Sequence, residues 1–167
     1  PKAMIAPEKA STPIKSFEYN MTGHARQCVE RYCELADVDE CTLKTVLTPC
    51  IDDHQIPPED FETKGRLHEE AARCVLKCLF LARIGRPDLL WTVNMLAREV
   101  TKWTVACDKR LHRLISYIHH HSDWVITCYV GDSADECFLV LYADASFAGD
   151  LKDSKATTGG YLCLVGP

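Results

Sequence analysis

The stretch FLVLYADASFAGD, residues 138–150, decides how the second half of this chain is read. Phe138 to Tyr142 is an unbroken run of apolar and aromatic residues, the pattern of a β-strand buried under other structure. The strand then reaches a carboxylate, Asp144, whose neighbours Ala143, Ala145 and Ser146 are all small. Burying a charge is costly unless a partner or a metal compensates. An acid at a strand end with space around it suits an ion and a substrate backbone, and several such acids hold two Mg²⁺ for attack on a phosphodiester. The plainer reading is that Asp144 caps the strand or opens a turn.

Working outward, WVITCYV (124–130) and CFLVLYADA (137–145) read as two strands joined by the turn GDSADE, and GGYLCLVG (159–166) as a third after a polar loop. Upstream the period changes. TGHARQCVERYCELA (22–36) sets Ala25, Cys28, Val29, Tyr32, Cys33 and Ala36 on one helical face, with Thr22 suited to cap it. A second helix, from about Leu67 to Arg83, is apolar around much of its surface and is expected to be central, with Gly85 ending it. Pro87 suits the first turn of a third helix, whose stripe is Leu89, Leu90, Val93, Leu96, Ala97 and Val100. Thr104 starts a fourth, carrying Leu111, Leu114, Ile115 and Ile118. Residues 1–20, with three prolines, read as a linker, and the segment after Asp37 as an extended connector broken by Pro49, Pro57 and Pro58. Helices first and three strands last, with no helix to cover them, predict an α+β chain whose sheet is unfinished. A first residue of Pro1 and a last of Pro167 suggest an excised piece.

At 47% hydrophobic and 26% charged, the 167 residues are able to bury a core. No apolar run is long enough to cross a membrane. The net charge of −5 argues against general nucleic-acid affinity, but charge is unevenly spread. Glu30 to Glu70 holds twelve acids against four Lys/Arg; Lys102 to His121 holds Lys102, Lys109, Arg110 and Arg113 against one acid, with four histidines. Nucleic-acid contact is expected from that later segment, although a solvated helix face is the commoner meaning of such charges. The ten cysteines lie mostly inside apolar patterns and read as reduced packing residues of an intracellular protein.

Four other groupings yield less. Asp52-Asp53 resembles a polymerase's paired acids, but the flanking prolines disfavour a hairpin, leaving a solvated connector. His119, His120 and His121 point about 100° apart on a helix and cannot all grip one ion. Cys74 and Cys78, at i and i+4, form a ligand pair only if their helix is not simply packed. Gly159-Gly160 opens no helix and so no phosphate loop; close strand approach would explain the pair.

RPDLLWTVNMLAREV (86–100), DKRLHRLISYIHH (108–120) and LYADASFAGDLKDSKATTGGYLCLVG (141–166), in this order and spacing, resemble the Pol polyprotein of copia-type long-terminal-repeat retrotransposons. The likeness runs from about Leu79 to Gly166; QCVERYCELA and LKTVLTPC are similar, more weakly, to the tail of the reverse-transcriptase region. The resemblance implies reverse-transcriptase tail and linker over 1–66, a helical connection over 67–122, and the start of a ribonuclease H-like mixed α/β domain over 123–167. It makes Asp144 the first catalytic aspartate and a Mg²⁺ ligand, while the family's next acid is Ser146 here. Asp150 matches a loop acid, and the family's loop arginine is Lys155 here, which keeps the charge without the bidentate fork. The implied partners are an RNA–DNA hybrid, met through Lys102, Lys109, Arg110, Arg113 and Lys155, and the rest of the polyprotein. The implied setting is a cytoplasmic virus-like particle and the nucleus. The paired polymerase acids and the remaining ribonuclease H acids are absent from this sequence. A rival reading is a non-catalytic remnant acting as a protein-interaction module; another is a small Cys/His metal domain.

Overall fold

In the computed structural model, residues 13–146 and 156–167 are described. They form two units, one of residues Glu18–Thr127 and one made of the chain on either side of it.

The Glu18–Thr127 unit is helical. α1 (Thr22–Ala36) buries Ala25, Cys28, Val29, Tyr32 and Ala36, the face predicted by its period. Thr22 is its first residue and not its cap; the Thr22 N–H instead donates to Asn20 Oδ1 at 3.1 Å. Asp37 ends the helix at φ 48°, ψ 57°, its N–H returning to the Cys33 carbonyl. The connector, residues 37–66, contains three single turns of tight helix, Glu40–Thr42, Asp53–Gln55 and Pro58–Phe61. α2 (Ala71–Ile84) follows a turn at 67–70 and places Cys74, Val75, Cys78 and Leu81 in the core. It is not surrounded by protein: Leu76, Phe80 and Ile84 line an exposed face. A turn at Pro87–Leu89 leads into α3 (Leu90–Arg98), and Thr104, with extended backbone, precedes α4 (Val105–His120). Leu81, Leu89, Val93, Leu96, Leu111, Leu114, Ile115 and Ile118 are all fully buried. At roughly 1.5–3 kcal/mol for each large side chain removed from water, they account for most of what holds the helices together. α1 and the connector pack with the helices of 67–122 in this one unit.

The strands depart further from expectation. Lys15–Tyr19, within the stretch read as linker, forms β1. It pairs with β2 (Ile126–Val130), and β3 (Phe138–Ser146) pairs with β4 (Thr157–Val165), so the expected β2–β3 hairpin does not form. β3 and β4 run antiparallel over nine pairs, from Phe138↔Val165 to Ser146↔Thr157. That ladder satisfies β3 along one edge, and β1 does the same for β2. β3 is not buried: Phe138, Leu139, Leu141 and Tyr142 are each more than half exposed, as are Tyr161, Leu162 and Leu164 opposite them. A two-stranded sheet has no layer to cover its faces, whatever its composition. Mixed helices and small antiparallel sheets make the chain α+β. No helix among the described residues is long and apolar enough to cross a membrane.

Candidate functional site

Asp144 stands near the end of β3, opposite Gly159 on β4. It is exposed, and its Oδ1 accepts a hydrogen bond from the Ala145 N–H at 2.9 Å. The costly buried carboxylate implied by the apolar run is therefore not what the fold contains. Residues paired across strands share a sheet face, so Gly159 leaves the space beside this carboxylate bare. A Cβ at Gly159 would come no closer than 3.9 Å to the Asp144 carbonyl oxygen, and one at Gly160 no closer than 3.7 Å to Leu141 Cδ1. Both are ordinary contacts, so close strand approach does not explain the glycine pair. Among the described residues no three His, Cys, Asp or Glu are placed to share a metal ion. One accessible carboxylate does not supply the several acids that two Mg²⁺ need, so the described residues do not amount to a metal site. Asp150 and Lys155 lie outside the described residues.

The basic segment is occupied from within. Lys109 Nζ pairs with Asp60, and Arg110 Nη2 with Asp53, while the Arg110 guanidinium lies 5.2 Å from the Phe61 ring centre. Arg110 is buried. Arg113 donates from Nε to the Thr48 carbonyl at 3.1 Å and from Nη2 to Thr48 Oγ1 at 3.0 Å. The acidic connector thus folds back along the basic face of α4, and Lys102, before that helix, is exposed. Asp52 accepts from the His54 N–H, closing a turn. The histidines diverge: His119 faces Glu40 at 3.9 Å, His120 Nε2 meets the Leu43 carbonyl at 2.8 Å, and His121 Nδ1 the Tyr117 carbonyl at 2.9 Å.

Two polar clusters escaped the sequence reading. Asp108, in the first turn of α4, accepts from the Arg66 and Leu67 backbone N–H groups at 2.5 and 3.2 Å and from Trp103 Nε1 at 2.6 Å. An acid here also faces the positive end of the helix dipole; a lone acid in a basic run was its only signal. Arg86, buried, grips Asp88 through Nε and Nη2 at 2.9 and 2.8 Å and donates from Nη1 to the His121 carbonyl at 2.6 Å. Its guanidinium lies over the Tyr117 and Trp124 rings at 5.7 and 5.4 Å. The Arg86-Pro87-Asp88 segment is thus a clasp between the α2–α3 turn and the end of α4.

None of the ten cysteines is in a disulfide; Cys28, Cys74, Cys78 and Cys107 are buried, while Cys41 and Cys128 are exposed. A hydrogen bond from Cys78 lowers the Cys28 thiol's pKa, and the same bond together with burial raises that of Cys78. Burial pushes Cys74 up to about 11 and raises the Tyr32 hydroxyl well above its ordinary value.

The chain is 30% identical over 87 residues to the Putative transposon Ty5-1 protein of Saccharomyces cerevisiae; the match covers 52% of this chain and 27% of that protein. This chain therefore spans about a quarter of the relative's length. No family model matches the chain, and no solved structure does. The similarity supports a retrotransposon-related origin for the matched half of the sequence.

Proposed function

We propose that the chain is part of a retrotransposon Pol polyprotein serving reverse transcription. It would run from the end of the reverse-transcriptase region, through a helical connection, into the first strands of a ribonuclease H-like domain. The observation that carries this reading is the 30% identity over 87 residues to a yeast transposon protein, which agrees with the ordered motifs around Arg86, Asp108 and Asp144. In the full-length protein the ribonuclease H part degrades the RNA of RNA–DNA hybrids, inside cytoplasmic particles and on the way to the nucleus. Mg²⁺ would supply the activated water there. What this chain contributes is one exposed carboxylate, Asp144, on a regular strand with no side chain opposite it, open to acids brought from elsewhere. Among the described cations of the basic segment, Lys102, exposed and without an ion pair, is the one best placed to meet a phosphate.

The test compares the 167-residue chain with one extended by about 100 residues, enough to finish an ordinary domain. Labelled RNA–DNA hybrid and Mg²⁺ are supplied to both. The short chain should be silent, the long one should cut the RNA, and Asp144→Asn should abolish cutting. Cutting that survives Asp144→Asn refutes the reading. A folded long chain that never cuts favours the second reading, a non-catalytic interaction module. The exposed Leu76, Phe80 and Ile84, one turn apart along α2, are the observation that supports it.

A further inference from the structure

Between α1, α4 and the connector lies a cavity of about 580 Å³, within the roughly 300–1,000 Å³ usual for small-ligand sites. Its walls are largely apolar, with Val38, Val46 and Ile51 of the connector facing Ala36 and Leu67. The polar groups that reach it are already matched: Tyr32 Oη and His112 Nδ1 share a hydrogen bond of 2.9 Å, and the one lining carboxylate, Asp108, accepts from three donors. The remaining charge at the edge is positive. Lys109 is neutralised by Asp60, and Arg66 meets Asp37 only at 3.9 Å with both side chains largely exposed. Arg113 is held by the neutral carbonyl and hydroxyl of Thr48, which leave its charge uncompensated, and Lys44 is exposed.

An apolar chamber with a cationic edge selects its occupant by both properties. A cation would be repelled at the edge. A polyanion such as a nucleic-acid backbone has nothing to place against Val38, Val46 and Ile51. We propose that this cavity binds a small amphipathic carboxylate, with an aliphatic body against the connector valines and its head between Lys44 and Arg113. The site is independent of Asp144 and of the reading of the chain as part of a polyprotein. It also gives the connector a role besides joining α1 to α2: it is one wall of a binding site, and filling the site fixes that wall.

The probe is decanoate below its micellar concentration, titrated calorimetrically into the whole chain, with decyltrimethylammonium as the cationic match of equal length. Decanoate should bind once per chain and at least about tenfold more tightly than the ammonium. Amide shifts in the wild-type protein should centre on Tyr32, Val46 and Ile51. Val46→Trp, which fills the chamber, and Lys44→Glu, which reverses the edge charge, should each weaken decanoate at least about tenfold. Because the shift map needs no variant, misfolding of Val46→Trp leaves the test intact. Equal binding of both amphiphiles, shifts centred on β3 and β4, or no binding at all overturns the proposal.

Discussion

Replacing Arg86 removes the most connected buried side chain in the helical unit. Its five-donor fork meets both Asp88 oxygens and the His121 carbonyl, and it lies over two aromatic rings. Breaking a buried pair from one side costs about 3–5 kcal/mol, because the remaining charge loses its partner. Asp88, however, is 33% exposed at its side chain, so water takes up part of that charge. The His121 carbonyl keeps the Trp124 N–H as a donor at 3.3 Å, so losing the Arg86 bond there adds only about 1 kcal/mol. These terms share one side chain and do not add, which places Arg86→Ala at about 3 kcal/mol. Arg86→Lys keeps the charge but loses the planar fork and should cost about 1.5–3 kcal/mol. Urea unfolding followed by helical circular dichroism reads both as a lowered midpoint at unchanged slope. Since domain stabilities run to only about 5–15 kcal/mol, the lysine variant stays measurable if the alanine one does not. A loss below about 1 kcal/mol for both would refute the clasp, leaving the Arg-Pro-Asp segment as a helix start and nothing more.

Gly65→Ala should destabilise by about 1–3 kcal/mol in the same assay, because its Cβ would stand 2.5 Å from the Thr104 carbonyl oxygen, a backbone atom that cannot swing away; wild-type stability would refute the close approach. Alkaline pH should weaken the fold. Cys74 titrates at about 11 when folded against an ordinary 9.0, so the native state keeps a proton that the unfolded chain releases, and stability falls as pH rises from 9 towards 11. Burial raises Tyr32 and Cys33 too and acts in the same direction; a melting temperature that is flat or rising across that window contradicts it. Thiol reagents should modify the exposed Cys41 and Cys128 first and all ten cysteines after unfolding, with no stoichiometric zinc by mass spectrometry; zinc lost on Cys74→Ser would instead support a metal domain.

The four helices were legible because their apolar stripes repeat over several turns, and Leu89, Val93 and Leu96 or Leu111, Leu114 and Ile118 have no alternative face. β1 was not legible: five residues with a partner more than a hundred positions away leave no local signal. The run Phe138 to Tyr142 reads by composition as a buried strand, yet it is largely exposed. Composition reports how apolar a strand is, whereas the lack of a following helix to cover it is what agrees with the exposure. The cations Lys109, Arg110 and Arg113 were visible as a basic run, and the acids of Glu30–Glu70 as an acidic one. That one run lies on the other is a tertiary fact, absent from either charge count. Asp144 was found for a reason the fold does not bear out, its supposed burial; it stands in the structure as an open carboxylate opposite a glycine.

The connector's attachment to α4 also bears on the order in which the helical unit loosens. Its hold combines the buried Leu43 and Ile56 with ion pairs and single hydrogen bonds at Asp53, Asp60, Thr48 and Leu43, whereas the helices meet chiefly through fully buried aliphatic side chains. Salt screens charge pairs near the surface and strengthens, if anything, the apolar contacts. Rising ionic strength should therefore loosen the charged part of residues 37–66 before α1 to α4 come apart. Amide exchange in the connector would accelerate with salt, and Lys44 and Lys64 would become the first sites of tryptic cleavage. Loosening of the connector would in turn free Lys109, Arg110 and Arg113 from their partners, so the basic face of α4 is engaged or available according to the ionic strength around it.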